Sequence, residues 1–127
     1  MPYGVPADNP FVSQTTGINQ AIWGRGLRNP FNFAIDRSNG RIHLNDVGQD
    51  TWEEVNHAVA GANFGWPATE GNTPPGVEGV RYPIYAYENA GSNCAIIGVC
   101  FWAGSSLRAI TALLAPKRLP SEGDSAV

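Results

Sequence analysis

Apolar and polar positions alternate most clearly over residues 31–45. Residues 31–35 read Phe-Asn-Phe-Ala-Ile, the period-two pattern that is typical of a half-buried strand. Residues 36–40 read Asp-Arg-Ser-Asn-Gly and end on an Asn-Gly pair, which takes the positive φ values that tight hairpins need. The alternation resumes over residues 41–45. The pattern therefore predicts a β-hairpin.

The next 40 residues carry a weaker pattern. Residues 52–59 alternate imperfectly, so they indicate a third strand, with a short helix as the open alternative. Residues 61–79 are rich in Gly, Pro and Asn and are predicted to be a loop. Residues 82–87 are predicted to form an edge strand, since Pro83 near its start lacks a backbone donor.

The composition changes near the end of the chain. Residues 94–102 form an apolar run of strand length. Aromatic residues are absent from residues 103–127. Within that tail, residues 107–115 predict about two turns of amphipathic helix, which Pro116 would end. We expect the last residues to be frayed.

Composition narrows the fold class. The 127 residues, 43% of them hydrophobic, are enough for one domain with its own core. The 15 glycines and 10 prolines argue against a helical bundle and favour a turn-rich β protein. Short antiparallel strands predict an all-β sandwich, barrel or propeller, and the pattern alone does not choose among these.

Charge and cysteine content exclude several functions. The net charge is −3 and Lys and Arg do not cluster, so the sequence lacks the basic surface of a nucleic-acid-binding protein. It has no apolar run long enough to cross a membrane and no basic and apolar start typical of a signal peptide. Cys94 and Cys100 are too few for a disulfide framework. They either pair with each other or are two small apolar residues of a strand.

Arg28 and Asn29 precede the hairpin, at the point where the chain enters a sheet. A guanidinium offers five donors suited to a carboxylate, and an amide offers both a donor and an acceptor. Loops at a sheet rim often bind ligands. The structural alternative is that Arg28 pairs with Asp46 or Glu53 and that Asn29 caps the turn before Pro30.

Residues 46–50, Asp-Val-Gly-Gln-Asp, follow the second predicted strand. Their carboxylates and carbonyls are oxygen donors of the kind that calcium prefers, although the segment does not match an EF-hand loop. The alternative is a polar turn with Gly48 at positive φ. His43 and His57 lack a second His or Cys at metal-ligand spacing, so neither is expected to bind a metal.

Read together, these segments resemble one family. The stretch 26–71 resembles the central signature of the PQQ-dependent soluble glucose dehydrogenases and glucose/sorbosone dehydrogenases, also called aldose sugar dehydrogenases. Five parts of that signature occur in order: Arg28-Asn29-Pro30, the hairpin, Asp46-Val47-Gly48-Gln49, Trp52-Glu53-Glu54-Val55-Asn56, and Asn63-Phe64-Gly65-Trp66-Pro67. Flanking segments extend the resemblance over about residues 3–102.

The resemblance implies a fold, a cofactor and a reaction. It implies a six-bladed β-propeller of four-stranded blades that binds PQQ and calcium and oxidises aldose sugars to lactones by hydride transfer. Arg28 and Asn29 match positions that contact PQQ, and the backbone carbonyls of Gly48 and Gln49 match calcium ligands. Segments 52–56 and 65–67 match blade scaffolding. The family is usually periplasmic or secreted, whereas the compartment of this chain is left open.

The departures from the family pattern are also informative. The chain supplies about two blades, and the histidine base and downstream basic residues of the family have no match in it; neither His43 nor His57 matches the base. We therefore expect a partial propeller over residues 1–102 and a divergent, frame-shifted or disordered tail over residues 103–127.

Three functions follow as hypotheses. The first is a fragment of a PQQ-dependent sugar dehydrogenase that does not turn over alone, because it lacks a base. The second is a non-enzymatic β module for binding or self-assembly, a homo-oligomer formed through exposed sheet edges. The third, an active site completed by oligomerisation, has the least support, since repeating one fragment does not supply the missing histidine.

Overall fold

The computed structural model describes residues 4–89, 94–104 and 107–116. In these residues the chain forms a short 3-10 helix, Gly17–Ala21, and six β-strands. The strands are β1 (Pro30–Ile35), β2 (Ile42–Val47), β3 (Trp52–Ala58), β4 (Tyr85–Glu88), β5 (Cys94–Gly104) and β6 (Leu107–Pro116). The predicted all-β class is confirmed.

The first two strands form the predicted hairpin. β1 and β2 pair antiparallel with Ile35 opposite Ile42. In the turn, the Asp36 carboxylate accepts hydrogen bonds from the Ser38 backbone N–H (2.9 Å) and the Asn39 side-chain amide (2.7 Å). Gly40 then takes a φ of 73°, which a residue with a Cβ adopts only at a cost.

Residues 52–58 are a strand and not a helix, with both faces covered. Glu53 and Glu54 are buried, and neighbouring strand residues point to opposite faces of a sheet. The Ile96 N–H donates to Glu53 Oε2 (3.1 Å) and the Gly71 N–H donates to Glu54 Oε1 (2.5 Å). A strand covered on both sides need not alternate apolar with polar residues, which explains its weak sequence pattern.

Strands β1 to β4 form one antiparallel sheet in chain order, so β1 and β4 lie at its edges. The predicted edge strand is therefore confirmed, but it begins at Tyr85, after Pro83. Strands β5 and β6 form a second, two-stranded sheet, and β5 packs against β1, β2 and β3. Val47, Val55 and Ile96 form the hydrophobic core between the sheets.

The predicted C-terminal helix is wrong. Residues 107–116 form β6, which pairs with β5 from Leu107 opposite Gly104 to Pro116 opposite Cys94. An isolated helix of two turns is marginal in water, whereas pairing with β5 along the whole segment satisfies the backbone N–H and C=O groups that face that strand. The proposed boundary after residue 102 stays a prediction.

Both cysteines lie in β5, six residues apart. With a rise of about 3.3 Å per strand residue, their Cα atoms are roughly 20 Å apart, and a disulfide requires less than about 7 Å. Cys94 and Cys100 therefore do not pair with each other.

Candidate functional site

A buried carboxylate holds the predicted cofactor residues at the end of β2. Asp46 is 4% exposed. Its Oδ2 accepts the Arg28 backbone N–H (2.9 Å) and its Oδ1 accepts the Asn29 backbone N–H (2.6 Å). The Val47 N–H donates to the Asn29 carbonyl (3.1 Å). These three contacts fix the entry to β1 against the end of β2.

The guanidinium of Arg28 reaches the segment predicted to bind a metal. Its Nη1 donates to the carbonyls of Val47 (3.1 Å) and Gly48 (2.9 Å). Its Cζ lies 5.8 Å from the centroid of the Trp66 ring, within the range of a cation–π contact. Arg28 therefore donates its backbone N–H to Asp46, while its guanidinium donates to two backbone carbonyls. These contacts are not the ion pair between the Arg28 side chain and Asp46 or Glu53 that the sequence left as an alternative.

A second carboxylate holds the turn after β2. Glu70 Oε1 accepts the backbone N–H groups of Gln49 (2.6 Å), Trp52 (3.3 Å) and Thr51 (3.4 Å). Backbone amides that converge in this way form an anion-binding concavity. Glu70 thereby orients the backbone that carries the Gly48 and Gln49 carbonyls.

Gly48 is required here for space and not for its φ angle. The expectation of a positive φ at Gly48 is wrong, since its φ lies outside the left-handed region. A Cβ at this position would instead overlap the Trp52 carbonyl and meet Glu70 Oε1 at 2.5 Å. The close approach of β3 to the turn therefore selects glycine.

Burial dominates the electrostatics beneath the site. It raises the pKa of Asp46 above its ordinary value, although the amides of Arg28 and Asn29 and the Arg28 charge oppose the rise. Burial likewise raises the pKa of Glu54, against hydrogen bonds from Asn56 and Gly71. Both carboxylates are thus held by neutral donors more than by cations.

His43 and His57 lie apart from this site. Their rings stack with centroids 5.2 Å apart. Burial lowers the pKa of both imidazoles, helped at His43 by the charge of His57 and at His57 by that of Arg81. Within the described ranges, no three His, Cys, Asp or Glu side chains are grouped to hold a metal ion.

The structure thus brings Arg28, Asn29, Gly48 and Gln49 to one rim. The sequence did not reveal Glu70, because it lies 21 residues from Gln49 in a loop without a regular pattern. Trp66 was interpreted as scaffolding, yet its ring also faces Arg28. The tripeptide Gly65-Trp66-Pro67 was the available signal, but it does not indicate which residue the ring meets.

Comparison with known proteins shows the family. The family model of glucose/sorbosone dehydrogenases matches residues 3–114. This is most of the chain, which therefore belongs to the glucose/sorbosone dehydrogenase family, as its motifs predicted.

Curated relatives agree with this assignment. The chain is 33% identical over 118 residues to the HIPL1 protein of Arabidopsis thaliana, covering 79% of this chain and 17% of the relative. It is 30% identical over 109 residues to the aldose sugar dehydrogenase YliI of Escherichia coli, covering 77% of this chain and 28% of the relative. The chain thus spans less than a third of the length of these relatives.

Solved structures show the same fold. The soluble aldose sugar dehydrogenase from Escherichia coli in its apo form superposes with a TM-score of 0.65 at 27% identity, covering 80% of this chain and 31% of that one. The PQQ-bound aldose sugar dehydrogenase from Streptomyces coelicolor gives a TM-score of 0.60 at 28% identity, covering 75% and 25%. The chain is therefore part of a β-propeller, from a family in which PQQ is a cofactor. No helix among the described residues has the length and apolar character of a membrane span.

Proposed function

We propose that this chain forms part of the cofactor-binding rim of a PQQ-dependent sugar dehydrogenase, with Arg28 and Asn29 contacting PQQ. The observation that carries the proposal is the 2.9 Å hydrogen bond from Arg28 Nη1 to the Gly48 carbonyl. It joins the two parts of the site that the sequence motifs assign to cofactor and metal.

The donors at this rim fit a polyanionic quinone. PQQ bears carboxylates, which a guanidinium binds through paired N–H donors. Arg28 engages Nη1 with the two carbonyls, and its Nε and Nη2 donors remain available to a ligand. Asn29 is exposed at the same rim. When bound, PQQ would supply the electron acceptor for sugar oxidation.

We propose that calcium binds at this rim only together with PQQ. Calcium takes six to eight oxygen ligands, and the Gly48 and Gln49 carbonyls supply two. The Gly48 carbonyl also accepts the Arg28 guanidinium, whose charge opposes a bare cation nearby. We therefore propose that PQQ oxygens and water complete the calcium shell and that calcium alone binds weakly.

This chain alone is not expected to turn over sugar. Oxidation requires a base to accept the hydroxyl proton. The chain has two histidines, and they stack on each other within the sheet. His43 precedes Gly48 by five residues, roughly 16 Å along a strand, so an imidazole does not reach the rim from there. Sugar-dependent dye reduction with PQQ and calcium would contradict this proposal.

Isothermal titration with PQQ tests the cofactor proposal. We expect binding in calcium, loss of most binding in chelator, and no measurable binding of calcium without PQQ. Arg28→Ala should weaken PQQ binding at least ~10-fold, because it removes charge-assisted hydrogen bonds. Arg37→Ala in the β1–β2 turn removes the same charge elsewhere and should have little effect. Unchanged affinity in Arg28→Ala would show that the residue assignment is wrong.

The sugar substrate and the compartment belong to the whole protein. The relatives from Escherichia coli and Streptomyces coelicolor are named aldose sugar dehydrogenases, and we propose an aldose sugar as the substrate of the full-length enzyme. We also propose the periplasmic or extracellular location that the family resemblance implies.

Self-assembly is the second candidate function, and strand β1 favours it. Phe31, Phe33 and Ile35 are 59%, 61% and 49% exposed, and β1 lies at an edge of its sheet. Exposed apolar edge strands pair readily with other chains. We propose that a second copy of this chain covers β1. Sedimentation equilibrium should give a dimer or larger species that Phe33→Lys dissociates, and a monomeric wild-type chain would contradict the proposal.

A further inference from the structure

A cleft separate from the Arg28 rim is lined by two arginines. It has a volume of about 510 Å³ and is bordered by Arg25, Arg81 and Asn63 and by the segments 59–62 and 79–80. The cleft is shallow and largely open to solvent, so it leaves part of a bound molecule exposed. Several of the other lining residues are Gly or Ala, so the two arginines are the charged residues of the cleft.

The backbone brings the two arginines together from distant parts of the chain. Residues 62–64 run between them: the Arg25 N–H donates to the Ala62 carbonyl (2.9 Å), and the Arg81 N–H donates to the Asn63 carbonyl (2.8 Å). The Phe64 N–H returns a hydrogen bond to the Arg25 carbonyl (2.8 Å). Two strand spacings of about 4.8 Å thus separate the arginine backbones. Both residues line the same cleft.

Neutral groups hold both guanidiniums. Arg81 Nε donates to the His57 carbonyl (3.1 Å), and its Nη2 lies 3.1 Å from His57 Nδ1. Arg25 Cζ lies 5.9 Å from the centroid of the Phe11 ring. Of the five N–H donors of a guanidinium, Arg81 keeps three for a ligand. The contacts orient the two groups without neutralising their charges.

The residues that line the cleft carry positive charge without a negative partner among them, which favours binding of an anion. The lining includes no carboxylate, and Glu78, next to Gly79, is exposed and outside the lining. Arg25 and Arg81 are the charged residues of the lining, and an anion in the cleft would be attracted to both. We propose that this cleft binds the oxyanion group, phosphate or carboxylate, of a small molecule. Both arginines are exposed, so solvent screening limits the affinity to roughly millimolar.

The test is a titration followed by ¹H–¹⁵N NMR, with PQQ absent because PQQ is itself a polycarboxylate. Sodium phosphate is added at constant ionic strength against sodium chloride. We expect saturable shifts at Gly61, Asn63 and the Arg25 and Arg81 Nε–H signals. Separate titrations with glucose 6-phosphate and with gluconate distinguish a phosphate ligand from a carboxylate ligand. If sodium phosphate, glucose 6-phosphate and gluconate all fail to give saturable shifts, the proposal is overturned.

Matched variants make the test specific. Arg25→Gln and Arg81→Gln should each weaken binding at least ~10-fold, since each removes charge-assisted donors. Arg37→Gln removes one positive charge that is not part of the lining of the cleft and should leave binding nearly unchanged. Arg25→Gln is the deciding variant if Arg81→Gln unfolds, because Arg81 also holds His57. If Arg37→Gln weakened anion binding as much as Arg25→Gln does, the binding would be explained by the general positive charge of the arginines, and the proposal would be overturned. The result does not depend on PQQ binding at Arg28.

Discussion

Carboxylates organise the candidate rim by accepting backbone amides. Asp46 holds the backbone of Arg28 and Asn29, and Glu70 holds the turn that begins at Gln49. Arg28 and Asn29 are exposed at this rim, and the Gly48 carbonyl accepts the Arg28 guanidinium. Asp46 and Glu70 act as positioning residues, since they place other groups and need not touch a ligand themselves.

Replacing Glu70 tests this division of roles. Glu70→Ala should destabilise the chain by about 1–3 kcal/mol, because it leaves up to three amides without their acceptor. Glu70→Gln should cost less, since its side-chain carbonyl can still accept the Gln49 N–H. Urea unfolding measures the difference. PQQ titration should also show weaker calcium dependence in Glu70→Ala than in Glu70→Gln, whereas equal behaviour of the two variants would exclude a positioning role.

Local motifs indicated part of the candidate site. Arg28, Asn29 and Gly48 lie in short segments with recognisable spacing, so the sequence indicated them. The role of Glu70 depends on a loop folding back over the turn after β2, and the position of Trp66 depends on the same loop. Such contacts between distant residues leave no periodic pattern, and sequence reasoning therefore missed them.

At the scale of elements, β5 joins the second sheet to the first. Ile96 is fully buried against Val47 and Val55, and its N–H donates to Glu53. One residue thus contributes both an apolar contact and a backbone hydrogen bond between the sheets. Because the four-stranded sheet has polar groups buried in it, this small apolar cluster is an important source of packing energy.

Truncating the Ile96 side chain should show how much this apolar contact contributes to the stability of the fold. Ile96→Ala should lower the free energy of unfolding by about 2–5 kcal/mol, through lost burial and the cavity left behind. Ile84→Ala removes the same atoms from a side chain that is 49% exposed, and it should cost less than about 1 kcal/mol. Chemical denaturation of both variants provides the comparison. Similar losses would show that β5 does not anchor the second sheet.

At the scale of the whole molecule, the apolar surface is unevenly distributed. Phe31, Phe33 and Ile35 are exposed on β1, while the centre of the same sheet buries His43, Asn45 and Glu53. The chain spans less than a third of the curated relatives described above. An exposed apolar edge of this kind fits a sheet that packs against further protein, whether a second copy or other blades.

Protonation of His43 and His57 should lower the stability of the molecule as the pH falls through the histidine range. The pKa values of His43 and His57 are lowered from 6.5 in the folded state, so the unfolded chain binds protons first. The stability that the neutral histidines contribute is fully present above about pH 6.5, and it is lost as the pH falls towards the pKa values of the folded state. Urea unfolding at about pH 7.5 and about pH 5.5 measures this loss.

A double variant isolates the histidine effect. On going from about pH 7.5 to about pH 5.5, His43→Gln with His57→Gln should lose less unfolding free energy, or gain more, than the wild type. The raised pKa values of Asp46 and Glu54 act in the opposite direction, because there the folded state binds protons more readily. They are present in both proteins and cancel in the comparison. An equal pH dependence in both proteins would contradict the prediction.

The sequence by itself determined the all-β class, the β1–β2 hairpin and the family, and it predicted Arg28, Asn29, Gly48 and Gln49 as candidate site residues. These follow from alternation, turn residues and short motifs, which act between neighbours in the chain. Tertiary structure alone decided that residues 107–116 pair as a strand, that Glu70 holds the turn after β2, and that Arg25 and Arg81 border one cleft. Each of these depends on which segments pack together, and packing joins residues that sequence spacing does not relate.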